Sequence, residues 1–582
     1  MKMTPRTQVG ALLAHPEGHA LMVRFVPEAL SSAFVQSGQV PIGMLARMEL
    51  SEDPVRKEEF LAQIATLDLP DREVEEPIVV SDEYDAGAEP ASAPWRVTTA
   101  EPRTWQPVEV VLDGPTHGNP FVDVELTVEV TGPNRSLSLS KGPLQVTGFY
   151  DGEGRYAFRF LPDAEGAWSF AVASNARSLD GVQGSVEVGP APAGAHGPVR
   201  TNGFGFVHDD GTRHISLGTT SYVWTHQTPE LEEATLATLA EAPFTKMRMC
   251  VFPKSYLFNT NEPPRHAFER SEDGSFDTTR FVPEFFRHFE TRVGQLDELG
   301  IQADVIVFHP YDRWGYADLN PTVDDRYLKY LTARLSAYPN VWWSLANEFD
   351  LMGTKTVEDW DRFAAVIGAN DPVNHLMGIH NCIEFFDHNR DWVTHASVQR
   401  VDVYRTAENT DAWRREWGKP VVIDECAYEG NIDMGWGNIT GEEMTRRFWE
   451  AAVRGGWCGH GETYWAEDEV LWWSKGGVLK GDSPARIAFL RQILEDAPGD
   501  LEPRLTEWDA PGAVVGDSYR LVYFSFMQPL YRTFRLPAGT RWRAEILDTW
   551  NMTVTPVAEP VESGTRIDLP GRQYIAVRLT RL

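Results

Sequence analysis

Between residues 198 and 500 the chain switches repeatedly from short apolar runs to longer stretches with apolar positions three and four apart. The runs HISLGTTSYVW, TKMRMCVFP, QADVIVFHP, VWWSLANEF, HLMGIHN, HASVQRVDVY, PVVIDECAYEG and CGHGETYW read as strands. Helical stretches such as PELEEATLATLAEA, VPEFFRHFETRVGQLDELG, DDRYLKYLTARLSAYP and TGEEMTRRFWEAAVRGG fall between most of them. Apolar strands separated by helices imply a parallel sheet covered on its outer face. Eight such units predict an α/β fold of the closed (β/α)8, or TIM-barrel, kind rather than an open doubly wound sheet. The glycine-rich phosphate turn of a dinucleotide fold is missing after the first run.

A chain of 582 residues exceeds one hydrophobic core, so other units must flank this one. Residues 1–68 read as a small helical segment, and 69–94, acidic with scattered Pro and Ser, as a linker. Residues 95–197 alternate apolar and polar between Gly, Asp and Pro turns, the pattern of an immunoglobulin- or fibronectin-like β-sandwich. The barrel is expected over 198–500 and a second β-sandwich over 501–582. A net charge of −32 argues against nucleic acid or anionic membrane as partner. The count of 20 Trp and 17 Tyr suits a ligand with apolar ring faces, such as a sugar. No apolar run has signal-peptide or membrane-span form, and the four cysteines form no CxxC pair, so a cytoplasmic location is expected. Homo-oligomerisation is left open.

Barrel active sites lie where the strands end. The run ends carry Trp224, Arg248, His309, Asn347, Glu348, His380, Tyr404, Glu425, Glu462 and Trp465. Glu348 and Glu425 close the fourth and seventh runs, on facing sides of a barrel mouth. Two carboxylates so placed suit glycoside hydrolysis, which needs one protonated acid and one ionised group across the scissile bond. Either alone also reads as a salt-bridged strand end, and their separation decides between retention and inversion. Two other classes compete. One is a metal-dependent barrel hydrolase using His309, His380, His460 and a carboxylate; the other is a non-catalytic carbohydrate-binding protein.

WWSLANEF, with Asn-Glu closing the fourth strand, and VVIDECAYEG, with Glu closing the seventh, resemble clan A glycoside hydrolases of the family 5 kind. PVEVVLDGP through GFGFVHDDG, KPVVIDECAYEGNI, LWWSKGG and YFSFMQPLYRTFRLP resemble a bacterial branch in which a β-sandwich precedes the barrel and another follows it. The resemblance implies a retaining enzyme without cofactor. In it Glu348 is acid/base, Glu425 is nucleophile, and Asn347 binds the 2-hydroxyl beside the reacting carbon. It also implies that Arg248 steadies the nucleophile, Tyr404 donates to it, and Trp465 floors the reacting sugar. His309, His380 and Glu462 are candidate ligands for substrate hydroxyls. Short oligosaccharides or small glycosides, cut from one end, are the expected substrates. The long loop KSYLFNTNEPPRHAFERSEDGSFD is a candidate to close over the pocket.

Overall fold

The computed structural model describes residues 2–36, 38, 40–69, 74–133, 142–400, 402 and 405–582. Eight parallel strands form one sheet: β1 Gly218–Thr220, β2 Lys246–Cys250, β3 Gln302–Phe308, β4 Val341–Ala346, β5 Met377–Gly378, β6 Ala396–Gln399, β7 Val421–Glu425 and β8 Trp457–His460. Their order is β5-β4-β3-β2-β1-β8-β7-β6, so the first strand pairs with both the second and the eighth, as a barrel requires. The ladder stops between β5 and β6, where Thr394 takes over. Its N–H donates to the Met377 carbonyl at 2.9 Å, and its Oγ1 accepts from the Met377 N–H at 2.9 Å.

The strands are short and buried on both faces; every residue of QADVIVF and VWWSLA is buried. Helices Pro229–Glu241, Pro283–Glu298, Pro321–Leu335, Val357–Asn370, Thr410–Trp417, Gly441–Val453 and Ser483–Glu495 cover the outside. Several start at a proline behind a capping residue, as at Thr228-Pro229 and Asn320-Pro321, where the cap oxygen takes a free N–H. Their apolar stripes, for example Phe286, Phe289, Val293 and Leu296, join Val305 and Val307 in the main core. Each fully buried side chain of that kind contributes about 1.5–3 kcal/mol. Under the mouth, Lys246 is wholly buried and bonds Asp304 at 2.6 Å and Asp424 at 2.5 Å; Ser397 adds a bond to Asp424 at 2.6 Å. This layer satisfies a cation and two carboxylates together, which a barrel interior demands.

The first and sixth strands are among those shorter than their apolar runs. Arg213–His214 belongs to a separate antiparallel sheet with Val199–Asn202 and Gly205–His208, whose Phe206 packs on Trp342. The sixth strand ends at Gln399, well before Tyr404, which lies outside the described residues.

Residues 95–188 form two four-stranded antiparallel sheets around a core that includes Val128, Phe158, Trp168 and Phe170. Arg159 of this unit reaches the barrel, donating to Glu290 at 2.9 Å and to the Arg334 carbonyl at 2.7 Å. The C-terminal unit is a six-stranded antiparallel sheet with a separate two-stranded pair, Tyr531–Thr533 and Arg566–Asp568. The segment leading into the N-terminal helices lies against the loops after β4 and β5. Gln8 Nε2 donates to the Leu351 carbonyl at 2.6 Å, and Arg6 pairs with Glu384 at 3.4 Å.

Candidate active site

At the strand ends, side chains from β1, β2, β4, β6 and β7 converge. Arg248, inside β2, donates from Nη1 to Glu425 Oε1 at 3.1 Å and from Nη2 to Asn347 Oδ1 at 3.1 Å. Tyr222, just past β1, donates to Glu425 Oε1 and also lies 3.2 Å from Asn347 Oδ1. Tyr311, past β3, donates to Glu348 Oε2, which also accepts from Asn347 Nδ2 at 3.3 Å. Both carboxylates are nearly closed off, with Glu348 5% and Glu425 6% exposed. Glu348 sits at φ +54°, in the left-handed region that a non-glycine residue occupies only when its surroundings hold it there. The Phe349 N–H to His380 carbonyl bond, 2.9 Å, is part of that hold.

Gln399, the last residue of β6, stands between the two acids. With its amide nitrogen turned toward them, Nε2 donates to Glu348 Oε1 at 3.1 Å and to Glu425 Oε2 at 3.0 Å. Two N–H bonds leave an amide nitrogen about 120° apart, which puts those oxygens at roughly 5 Å from one another.

Burial pushes the Glu348 carboxyl up to about 7, the nearby Glu425 charge adds to the rise, and the Tyr311 hydroxyl and Lys254 oppose it. Burial works against the Arg248 charge, but Tyr222, Asp424, Asp304 and Glu425 raise its pKa above the ordinary range, so it stays a cation. Burial also lifts the Tyr222 and Tyr311 phenols, which remain proton donors.

The other predicted residues are placed less centrally. His380 is buried beside Glu425 at 3.8 Å, beyond hydrogen-bond length, and burial followed by Arg248 keeps it neutral. His309 turns its Nε2 to the Phe252 carbonyl at 3.1 Å, and burial lowers its pKa to about 3. Glu462 accepts from the Lys480 and Gly481 N–H groups at 2.7 and 2.9 Å. Trp224 is wholly buried in the main core, and Trp465 is 55% exposed, its N–H on Asn431 at 2.7 Å. The aromatic wall beside the acids is instead Tyr222, Tyr256, Tyr311, Tyr428, Trp436 and Trp473. Asp350, close to Glu348 in sequence, braces the next loop by accepting from the Cys382, Ile383 and Glu384 N–H groups. Tyr222, Tyr311 and Gln399 were not singled out from sequence. Reading each strand one turn longer than it runs hid Tyr222 and Gln399, and His309 drew attention from Tyr311 in His-Pro-Tyr.

The three histidines of the metal reading are not gathered: His309 faces Phe252, His380 faces Glu425, and His460 bonds Thr219 at 3.0 Å. Among the described residues, Glu429, His460 and Glu462 form a group with ligand-type atoms in mutual reach. Their carboxylates are engaged by N–H groups ahead of and at the start of helix Ser483–Glu495, as in the Asp482 N–H to Glu429 bond of 2.8 Å.

The barrel, residues 200–498, matches the family model described as "Apiosidase-like, catalytic domain". The chain belongs to the apiosidase-like family. Residues 101–175 and 508–580 match two further models, each described as a domain of unknown function (DUF5060 and DUF5605). A crystal structure described as a "putative glycoside hydrolase" from Bacteroides vulgatus ATCC 8482 is 36% identical, with a TM-score of 0.78, and is covered in full by 83% of this chain. A glycoside hydrolase family 5 structure from the same organism is 18% identical with a TM-score of 0.52; the match spans 66% of this chain and 93% of that one, and shows the shared barrel fold. No curated protein matches. This member of the apiosidase-like family is a glycoside hydrolase with the clan A type of fold.

Proposed function

We propose that this glycoside hydrolase works by double displacement with retention, Glu425 as nucleophile and Glu348 as acid/base. The observation that carries this reading is Gln399, whose one amide nitrogen reaches both acids at 3.0 and 3.1 Å. Retaining enzymes hold their carboxyls about 5–5.5 Å apart, whereas inverting ones leave about 6.5–9.5 Å for a water. Glu348, with its proton retained to about pH 7, gives it to the departing oxygen. Glu425, fixed by Arg248 and Tyr222, attacks the anomeric carbon. Loss of the Glu425 charge on glycosylation then lets Glu348 ionise and draw a proton from water.

The burial of both acids behind Tyr256, Tyr311, Trp436 and Trp473 suits a terminal sugar entering end-on. Short oligosaccharides or small glycosides are therefore the proposed substrates, and the family description puts apiofuranosides first among the sugars to test. The deciding experiment is a screen of 4-nitrophenyl furanosides and pyranosides, with the first-formed anomer followed by NMR. Retained configuration in the wild type, and rates down by about 10⁴ or more in Glu425→Gln, are expected. An inverted first product, or activity surviving in both Glu348→Gln and Glu425→Gln, overturns the reading.

A further inference from the structure

Lys254 opens the long loop after β2 and was not among the residues singled out from sequence. It is 3% exposed, and its Nζ lies among the faces of four aromatic rings. The centroids are 3.9 Å away for Tyr222, 4.1 Å for Tyr311, 4.8 Å for Trp473 and 5.4 Å for Tyr256. Tyr222 and Tyr311 are the same two residues that hold Glu425 and Glu348 by their hydroxyls. The ammonium is thus fixed beside the reacting centre by the rings that position the acids.

Ring faces attract a cation but take none of its three N–H bonds in the way an oxygen does. The Lys254 ammonium makes no hydrogen bond or ion pair with a described residue, whereas both terminal nitrogens of the neighbouring Arg248 are taken up by Glu425 and Asn347. An ammonium held by ring faces is set to donate to an oxygen brought beside it. Burial pulls the Lys254 pKa below the lysine range, against the opposing charges of Cys250, Glu348 and Glu425.

We infer that Lys254 is a substrate-binding residue of the reacting-sugar subsite, donating from its ammonium to an oxygen of the sugar whose glycosidic bond is cleaved. This rests on the reading of Glu348 and Glu425 as the catalytic pair. The acceptor chemistry is a ring hydroxyl or a sugar carboxylate, and the two are separable by substrate.

The test uses the full-length enzyme and the 4-nitrophenyl glycoside that it hydrolyses fastest, with the monodeoxy analogues of that glycoside and its uronate counterpart. Lys254→Met is expected to lower kcat/KM for the parent by roughly 10- to 100-fold. Its melting temperature should be unchanged or higher, because an apolar chain suits the ring cage. On one deoxy analogue, wild type and variant should agree within about threefold, marking the hydroxyl that Lys254 contacts. A wild-type preference for the uronate that disappears in the variant would mark a carboxylate instead. Lys254→Gln, which keeps a donor, should restore part of the rate if Lys254→Met folds poorly. Equal loss on every analogue, or no loss, overturns the assignment. Activity surviving in Glu425→Gln overturns the catalytic pair instead, so the two failures are distinct.

Discussion

Arg248 Nη1 lies 3.1 Å from Glu425 Oε1, and both side chains are almost wholly buried. The pair costs desolvation to form, and breaking it strands a charge. Arg248→Met therefore leaves Glu425 without its counter-ion and takes from Asn347 its guanidinium donor. A fall in kcat/KM of about 10³ is expected, with partial recovery in Arg248→Lys, which restores the charge but not the two-pronged geometry. Steady-state kinetics on one aryl glycoside checks both.

The alkaline limb of the kcat/KM–pH profile belongs to Glu348. Its carboxyl is raised to about 7, so the acid form persists through the weakly acidic range and activity falls as pH rises through about 7. A limb near pH 4–5 would contradict the burial argument. Aryl glycosides with very good leaving groups need less protonation, so their limb should be shallower.

Glu348 also carries a stability cost. A carboxyl whose folded pKa is raised contributes stability that is fully present below its unfolded pKa, near 4.5, and lost as pH rises through about 7. Glu348→Gln removes this titration. The melting temperature of the variant relative to wild type should climb between about pH 4.5 and 7 and level off above. A constant difference across that window would mean that the carboxyl is not shifted.

Gln399 shares one amide between two acids that repel each other. Gln399→Leu takes away the donor and leaves the repulsion, so the pKa of Glu348 rises and the alkaline limb moves to higher pH. The rate should fall by roughly 10- to 100-fold at the optimum, as for loss of a preorganised donor. An unmoved limb would show that the amide does not face the acids.

The segment leading into the N-terminal helices rests on the loop that follows Glu348, at a point with no spare room. A Cβ added at Gly353 meets the Arg6 carbonyl oxygen at 2.4 Å, and that oxygen is backbone. Gly353→Ala should loosen the docking while leaving the barrel folded. Faster proteolytic cutting between residues 69 and 94, with the melting of the barrel unchanged, is the expected outcome; equal cutting rates would count against it.

The sequence by itself determined the architecture and showed which apolar runs end in polar residues. Eight alternating apolar and amphipathic segments have few packings other than a barrel, because periodicity is a local property and a fully apolar strand must be covered on both faces. Asn347 and Glu348 just past β4, Arg248 on β2 and Glu425 on β7 were legible for the same reason: a polar residue closing an apolar run stands out. The structure brings these four into one hydrogen-bonded group. What joins them was decided by tertiary structure alone. Gln399 reaches both acids because β6 ends three residues after Ala396 and beside β7, a register that no local pattern encodes. Tyr222 and Tyr311 converge on the acids from loops, where direction depends on neighbours across the barrel. The same is true in reverse of His309 and Glu462, whose hydrogen bonds go to the Phe252 carbonyl and to the Lys480 and Gly481 N–H groups. A strand end tells where a side chain starts; only the closed barrel decides what it meets.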